Sequence, residues 1–202
     1  MGPINVSVVI GSVRQGRMGL RVGRFLQQSL EAKGLAVQLI DPVELDLPLF
    51  RNRYAFLPEN VKTATLHQTY AAFKKSDAIV VATPEYNHSF SPVIGNTLNY
   101  FYHSEFYYKV GGIATYSMGG FGGVRAGVSL RTYLGELGIV SIPKQLPFPV
   151  VQNLLNEDGT LQASAGKSGE AVADNAEKFA DELAWYAKAL KEARVKGTPE
   201  AK

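Results

Sequence analysis

Val6 to Arg24 reads VSVVIGSVRQGRMGLRVGR, and the fold follows from how this stretch is read. Val6 to Ile10 are mostly β-branched and apolar, the pattern of a strand buried on both faces. Gly11-Ser12-Val13-Arg14-Gln15-Gly16-Arg17 follows as a turn rich in glycine, hydroxyl and arginine. Beyond it Met18, Val22, Phe25, Leu26 and Leu30 recur on one helical face. A strand, a glycine-containing turn and a helix in series suit a phosphate. The first free N–H groups of the helix point at the anion, and the helix dipole adds roughly half a positive charge. Arg14 and Arg17 add planar guanidinium forks. No acid precedes Glu31, whereas Arg14, Arg17, Arg21 and Arg24 do, so nothing nearby in sequence competes with the anion.

Two other phosphate loops are excluded. Gly11 and Gly16 have P-loop spacing, but Arg17-Met18 stand where lysine and a magnesium-binding hydroxyl are needed. The dinucleotide fingerprint fails because Val13 replaces its second glycine. The 202 residues, 46% hydrophobic and 19% charged, suggest one domain over residues 1–195, with 196–202 a flexible tail. The absence of cysteine rules out disulfides, thiolate catalysis and cysteine-ligated metal. No leader and no membrane-length apolar run is read, so a cytoplasmic location is expected, without a membrane partner. Net charge is only +3, with the basic residues dispersed, which speaks against nucleic acid.

Apolar strand patterns alternate with helical ones along the chain, which predicts a parallel sheet with helices on both faces. Residues 36–40 (AVQLI) read as the second strand and 41–60, with Pro42, Pro48 and Pro58, as a long loop. A helix is predicted over 61–74 and the most apolar strand over 78–83. Ser91-Pro92 looks like an N-cap with proline at N1, opening a helix to about Tyr102. The aromatic-rich segment Tyr100 to Tyr108 fits either core or a contact surface. Further on, 110–115 and 139–142 read as strands and 124–134 as a helix. The stretch 150–169 is irregular, and a closing helix spans 168–194.

In a doubly wound sheet, ligands bind beyond the carboxyl ends of the strands. Three such ends carry suggestive loops: after Ile10, after Thr83 (Pro84-Glu85-Tyr86-Asn87) and after Thr115 (Ser117-Met118-Gly119-Gly120-Phe121-Gly122-Gly123). One phosphate loop with two more loops at the same edge suggests a mononucleotide-like ligand whose flat ring lies between the latter. Glycines allow close backbone approach, and N–H donors opening a helix would stabilise the negative charge of a reduced flavin.

GSVRQGR, PEYNHSFSP and SMGGFGGVRA, in this order and spacing, resemble the NAD(P)H-dependent FMN reductase family, which includes quinone, azo and chromate reductases. The resemblance implies an α/β, flavodoxin-like, doubly wound five-stranded parallel sheet of order 2-1-3-4-5, with helices on both faces. It implies FMN bound without covalent attachment, NAD(P)H as co-substrate, and homodimers or homotetramers. Carried over, Ser12, Arg14 and Arg17, with Gly19 nearby, would hold the phosphate. Pro84, Glu85, Tyr86 and Asn87 would line one edge of the isoalloxazine. Ser117, Gly119 and Gly120 would contact the other edge by backbone. A ping-pong hydride relay to a quinone, flavin, azo compound or metal oxyanion would need no protein nucleophile.

Many members of that family have serine and asparagine where this chain has Arg17 and Gly19, which shifts weight onto arginine. The sequence contains neither a Cys-x5-Arg loop nor a G-x-S-x-G elbow, and His67, His88 and His103 lack metal-ligand spacing. Two alternatives share the fold: a flavodoxin-like electron carrier and a non-catalytic nucleotide-binding protein. Carriers are typically acidic, which the +3 balance does not match.

Overall fold

A computed structural model describes residues 2–199. Five parallel strands form one sheet in the order β2-β1-β3-β4-β5. They are β1 (Asn5–Ile10), β2 (Ala36–Ile40), β3 (Ala78–Pro84), β4 (Lys109–Tyr116) and β5 (Ile139–Phe148). Val8 pairs with Leu39 of β2 on one side and Val80 of β3 on the other, so β1 is an interior strand, and β3, between β1 and β4, is the sheet's centre. β3 and β4 are buried at every residue, as expected of strands covered on both faces.

One face is covered by α1 (Gly19–Glu31) and the long closing helix, whose buried side chains include Val22, Phe25, Leu26, Phe179 and Leu183. The other face carries α3 (Ala64–Lys75), α4 (Pro92–Asn99) and α6 (Val124–Glu136), packed through Phe73, Ile94, Leu98 and Leu130. Each such side chain, removed fully from water, contributes about 1.5–3 kcal/mol. Among the described residues no helix is long and apolar enough to cross a membrane, and no acid or histidine cluster could hold a metal ion.

Several boundaries differ from the sequence reading. Residues 41–60 are not an uninterrupted loop. Asp41 caps the four-residue helix α2 (Pro42–Leu45), its carboxylate accepting from Val43 N at 3.0 Å, and two tight helical turns follow at Tyr54–Phe56 and Glu59–Val61. The helix predicted from residue 61 starts at Ala64, because Thr63 Oγ1 accepts from Leu66 N at 3.1 Å and sets the cap there. Ser91 caps α4 as predicted, but that helix stops at Asn99 and a separate turn, α5 (His103–Phe106), follows. β5 is six residues longer than read. Its prolines, 143 and 147, lie on an edge strand; a register shift between Gly111 and Ile113 takes up Pro143, while Pro147 stays in register opposite Thr115. The closing helix, α7, runs over Gly166–Lys196. The tail read over 196–202 is described only to Pro199, whose carbonyl accepts from Tyr108; 200–202 lie outside the described residues.

The aromatic segment divides. Phe101 and Phe106 are fully buried core, and Tyr100 is buried with its hydroxyl on Pro48 O. At the amino-terminal end of the sheet, Asp77 accepts from Asn5 N, Lys191 and Arg194, tying α7 to β3. The opposite, carboxyl edge is where the chain opens.

Candidate functional site

A cavity of about 290 Å³ lies beyond the carboxyl ends of β1, β3 and β4. Seven of the sequence-predicted residues line it: Ser12, Arg14, Arg17, Pro84, Glu85, Tyr86 and Ser117. Gly19, packed against the Tyr116 hydroxyl, and Asn87, Gly119 and Gly120 are not part of its wall. Tyr116 and Met118 also line it and were not assigned a role from sequence.

The first loop is held close to β3. Gly11 N donates to Ala82 O at 2.8 Å, and a Cβ on Gly11 would stand 2.7 Å from that oxygen, so only glycine fits. The N-cap of α1 is Met18, which supplies no capping side chain, and no acid occupies the first turn. The first amide donors of α1 therefore have no protein acceptor from a cap. Arg14 is exposed, and its guanidinium lies 5.9 Å from the centre of the Tyr86 ring without a hydrogen-bond partner among the described residues.

Arg17 differs. It donates two hydrogen bonds of 2.5 Å to the Asp41 carboxylate and one of 2.8 Å to Ser12 O. Asp41 holds the guanidinium in its charged form, raising its pKa against the opposing effect of burial. No acid nearby in sequence competes for the arginines, as expected, but one distant in sequence does. Asp41 is 24 residues away in sequence, but the β1–β2 pairing brings it to the mouth. Arg17 braces the loop, and Arg14 remains free to reach a ligand.

The second loop turns sharply. Tyr86 and Ser89 exchange backbone hydrogen bonds of 3.0 Å across Asn87 and His88, both left-handed at φ 52° and 64°. Two non-glycine residues in that region cost of order 1–3 kcal/mol each, and such strain concentrates at functional loops. Glu85 does not offer its carboxylate to the cavity. It accepts from Arg125 Nε at 2.6 Å and from Arg125 N at 3.2 Å, which ties this loop to the start of α6.

The third loop is pinned from below. Thr115 Oγ1 donates to Gly122 O, and Gly123, at φ 77°, sits where a Cβ would meet Tyr116 O at 2.8 Å. Gly119 N donates to Ser117 Oγ at 3.0 Å, while Gly119 O accepts from Val150 N. Met118 and Phe121 are left exposed at the rim.

Tyr116 closes the floor. Its ring is core, yet its hydroxyl has no hydrogen-bond partner among the described residues. Burial, and then the neighbouring Tyr86 phenol, raise its pKa, so the phenol stays protonated; a loose approach of the Ser12 hydroxyl, outside hydrogen-bond geometry, and the charges of Arg17 and Arg14 oppose that rise. A sequence signal existed: a tyrosine ends an otherwise small and apolar strand where strand ends meet ligand.

Residues 4–152 match the family model for NADPH-dependent FMN reductases. The chain belongs to this family. Its members are oxidoreductases. The chain is 35% identical over 92 residues to an NADPH azoreductase of Bacillus sp., a match spanning 46% of the chain and 50% of that protein. It is 26% identical over 192 residues to a quinone reductase of Pseudomonas putida, spanning 91% and 95% of the two chains. The fold is that of the flavoenzyme NAD(P)H:(acceptor) oxidoreductase FerB of Paracoccus denitrificans. That match has a TM-score of 0.70 at 21% identity, covering 91% of this chain and 98% of FerB. The NADPH-dependent FMN reductase match ends soon after β5, so the family's signature lies on the strands and loops that build the cavity.

Proposed function

We propose that this cavity binds FMN non-covalently and that the protein passes hydride equivalents from NAD(P)H through it to a small acceptor. One observation carries the proposal: an open cavity whose wall joins an uncapped helix start, a free arginine and an orphaned buried hydroxyl. Each is a donor without a protein acceptor, and a phosphate monoester supplies acceptors only. The residues thus fit the group.

In this reading Ser12, Arg14 and the amides opening α1 hold the phosphate, with Arg17 shaping the loop from behind. Gly19 makes room beside Tyr116. Pro84, Glu85 and Tyr86 form one wall for the ring, with Asn87 just beyond it in the turn, and Glu85 acts through its backbone because Arg125 occupies its carboxylate. Ser117 lines the other side, with Gly119 and Gly120 just beyond it; the Ser117 and Gly119 amides are taken by Phe148 O and Ser117 Oγ, which leaves Gly120 N as the donor for the ring's edge. When bound, FMN supplies the two-electron relay between nicotinamide and acceptor. The protein's part is to hold the ring, exclude competing side chains and present a face for the two substrates in turn, a ping-pong order. Residues 1–195 act as one domain, in the cytoplasm where NAD(P)H is available. The exposed Leu49 and Phe56, 82% and 68% accessible, support assembly as a homodimer or homotetramer.

The acceptor class is a quinone, a free flavin, an azo compound or a metal oxyanion; the azoreductase and quinone reductase relatives are named for two of these. The test is direct. Purified protein reconstituted with FMN should be yellow, and anaerobic NADPH should bleach it within the mixing time. Parallel double-reciprocal plots with a quinone acceptor then support ping-pong turnover. A protein that takes up no FMN, or takes it up and is not bleached by NADPH or NADH, refutes the proposal.

A further inference from the structure

We infer that Tyr116 is a phosphate ligand, its hydroxyl donating a hydrogen bond to the phosphate end of the bound flavin mononucleotide. The inference rests on the FMN reading above and adds a residue that neither the motifs nor the family resemblance assigns.

Tyr116 ends β4, where its ring packs in the core cluster shared by α1 and α7 and only 4% of the residue is accessible. The residue lines the cavity, and its hydroxyl oxygen, itself buried just beneath that wall, pairs with nothing among the described residues. Leaving a buried hydroxyl unpaired is costly, and native proteins rarely do so without a reason. Ser12 Oγ stands nearby, but its weak contacts run to Tyr86 OH at 3.4 Å and from Arg14 N at 3.3 Å.

The surroundings say which part of a ligand would meet this oxygen. A Cβ added to Gly19 would lie 2.6 Å from it. Gly19 is the first residue of α1, so the hydroxyl sits beside the helix start, on the phosphate side of the cavity. The nearby charges, Arg17 and Arg14, are cationic. A protonated phenol can donate there, and a phosphate oxygen accepts. The same contact explains why glycine opens this helix: any side chain would push the phenol out of place.

The inference makes an unusual pair of demands on one variant. Tyr116→Phe removes a group that is unpaired in the FMN-free protein and paired in the complex. The FMN-free variant should therefore melt at the same temperature as the parent or up to about 5 °C higher. FMN affinity should nevertheless fall about 10- to 100-fold, the range for a hydrogen bond to a charged group. Riboflavin, which lacks the phosphate, should bind parent and variant within about twofold of each other. The measurements are thermal melts of the FMN-free proteins and fluorescence-quenching titrations with FMN and with riboflavin.

Three results would each overturn the assignment. A lower melting temperature for FMN-free Tyr116→Phe would mean that the hydroxyl is already satisfied inside the protein. FMN affinity within twofold of the parent would remove the contact. Equal losses for FMN and riboflavin would move it away from the phosphate. If the parent itself takes up no FMN, the proposed function falls and this inference with it. Normal uptake by the parent and the variant sinks the Tyr116 role alone.

Discussion

Arg14 and Arg17 lie three residues apart in one loop, and the structure gives them opposite consequences on removal. Arg17→Ala deletes two 2.5 Å bonds to Asp41 and one of 2.8 Å to Ser12 O, and leaves the Asp41 carboxylate 9% exposed without its counter-charge. Removing one partner of a fully buried ion pair costs about 3–5 kcal/mol. Arg17 keeps some contact with solvent at the cavity wall, which lowers the expectation to about 2–4 kcal/mol. For a chain of this length that is a drop in melting temperature on the order of 10 °C. Arg14→Ala removes an exposed side chain with no partner among the described residues, so FMN-free stability should stay within about 0.5 kcal/mol. Its cost should appear in FMN affinity instead, on the order of 1.5–3 kcal/mol for a lost charged phosphate contact. Urea unfolding of the FMN-free proteins and FMN titration of the same samples separate the two effects. An Arg17→Ala protein as stable as the parent would show that the Asp41 pair does not hold the loop. An Arg14→Ala protein with unchanged FMN affinity would refute the phosphate role.

Three further outcomes are expected. Gly19→Ala should destabilise the FMN-free protein by about 1–3 kcal/mol through overpacking against Tyr116 OH, and the cost should shrink in a Tyr116→Phe background because that oxygen is gone; strictly additive melts would show that the two do not touch. Lys109 donates to the α3 carbonyls of Phe73 and Lys74, and burial lowers its pKa to about 8 from the ordinary 10.5. Between those values the unfolded chain binds more protons than the folded one, so stability rises with pH there, by up to about 3 kcal/mol; Lys109→Met should flatten that rise in unfolding measurements at pH 7.5 and pH 10, and an unchanged slope would assign it elsewhere. Arg125→Ala should free the Glu85 carboxylate and loosen the second loop, lowering FMN affinity a few-fold with a modest loss of stability; a variant with parental FMN affinity and bleaching rate would show that the brace is dispensable.

The central strands are legible because fully buried parallel strands leave continuous apolar runs, and VSVVI and AIVVA are such runs; their order follows from the family resemblance, since an apolar run does not say which strand lies beside it. β5 was read short because Pro143 and Pro147 signal a break unless the strand is known to lie at the edge, and edge position belongs to topology. The helical start at Pro42 was passed over for a similar reason. Proline 42 and the acid before it are loop-formers in isolation and an N1 and N-cap pair in context.

The site shows where local reading ends. Motif spacing selected the three loops, and they meet at one cavity because parallel strands carry their carboxyl ends to a common edge. It could not rank the residues within them. The sequence groups Arg17 with Arg14 because the acid that claims it arrives from another strand, and it places Glu85 in the second loop without showing that Arg125, 40 residues on, takes its carboxylate. Both cases are competition for a charge by a partner distant in sequence, settled only once the sheet is assembled. Tyr116 is the converse: a side chain that finds no competitor at all. A buried group without a partner has no signature in sequence, since its meaning lies in what the finished fold fails to supply, and that deficit is where a ligand gains most from binding.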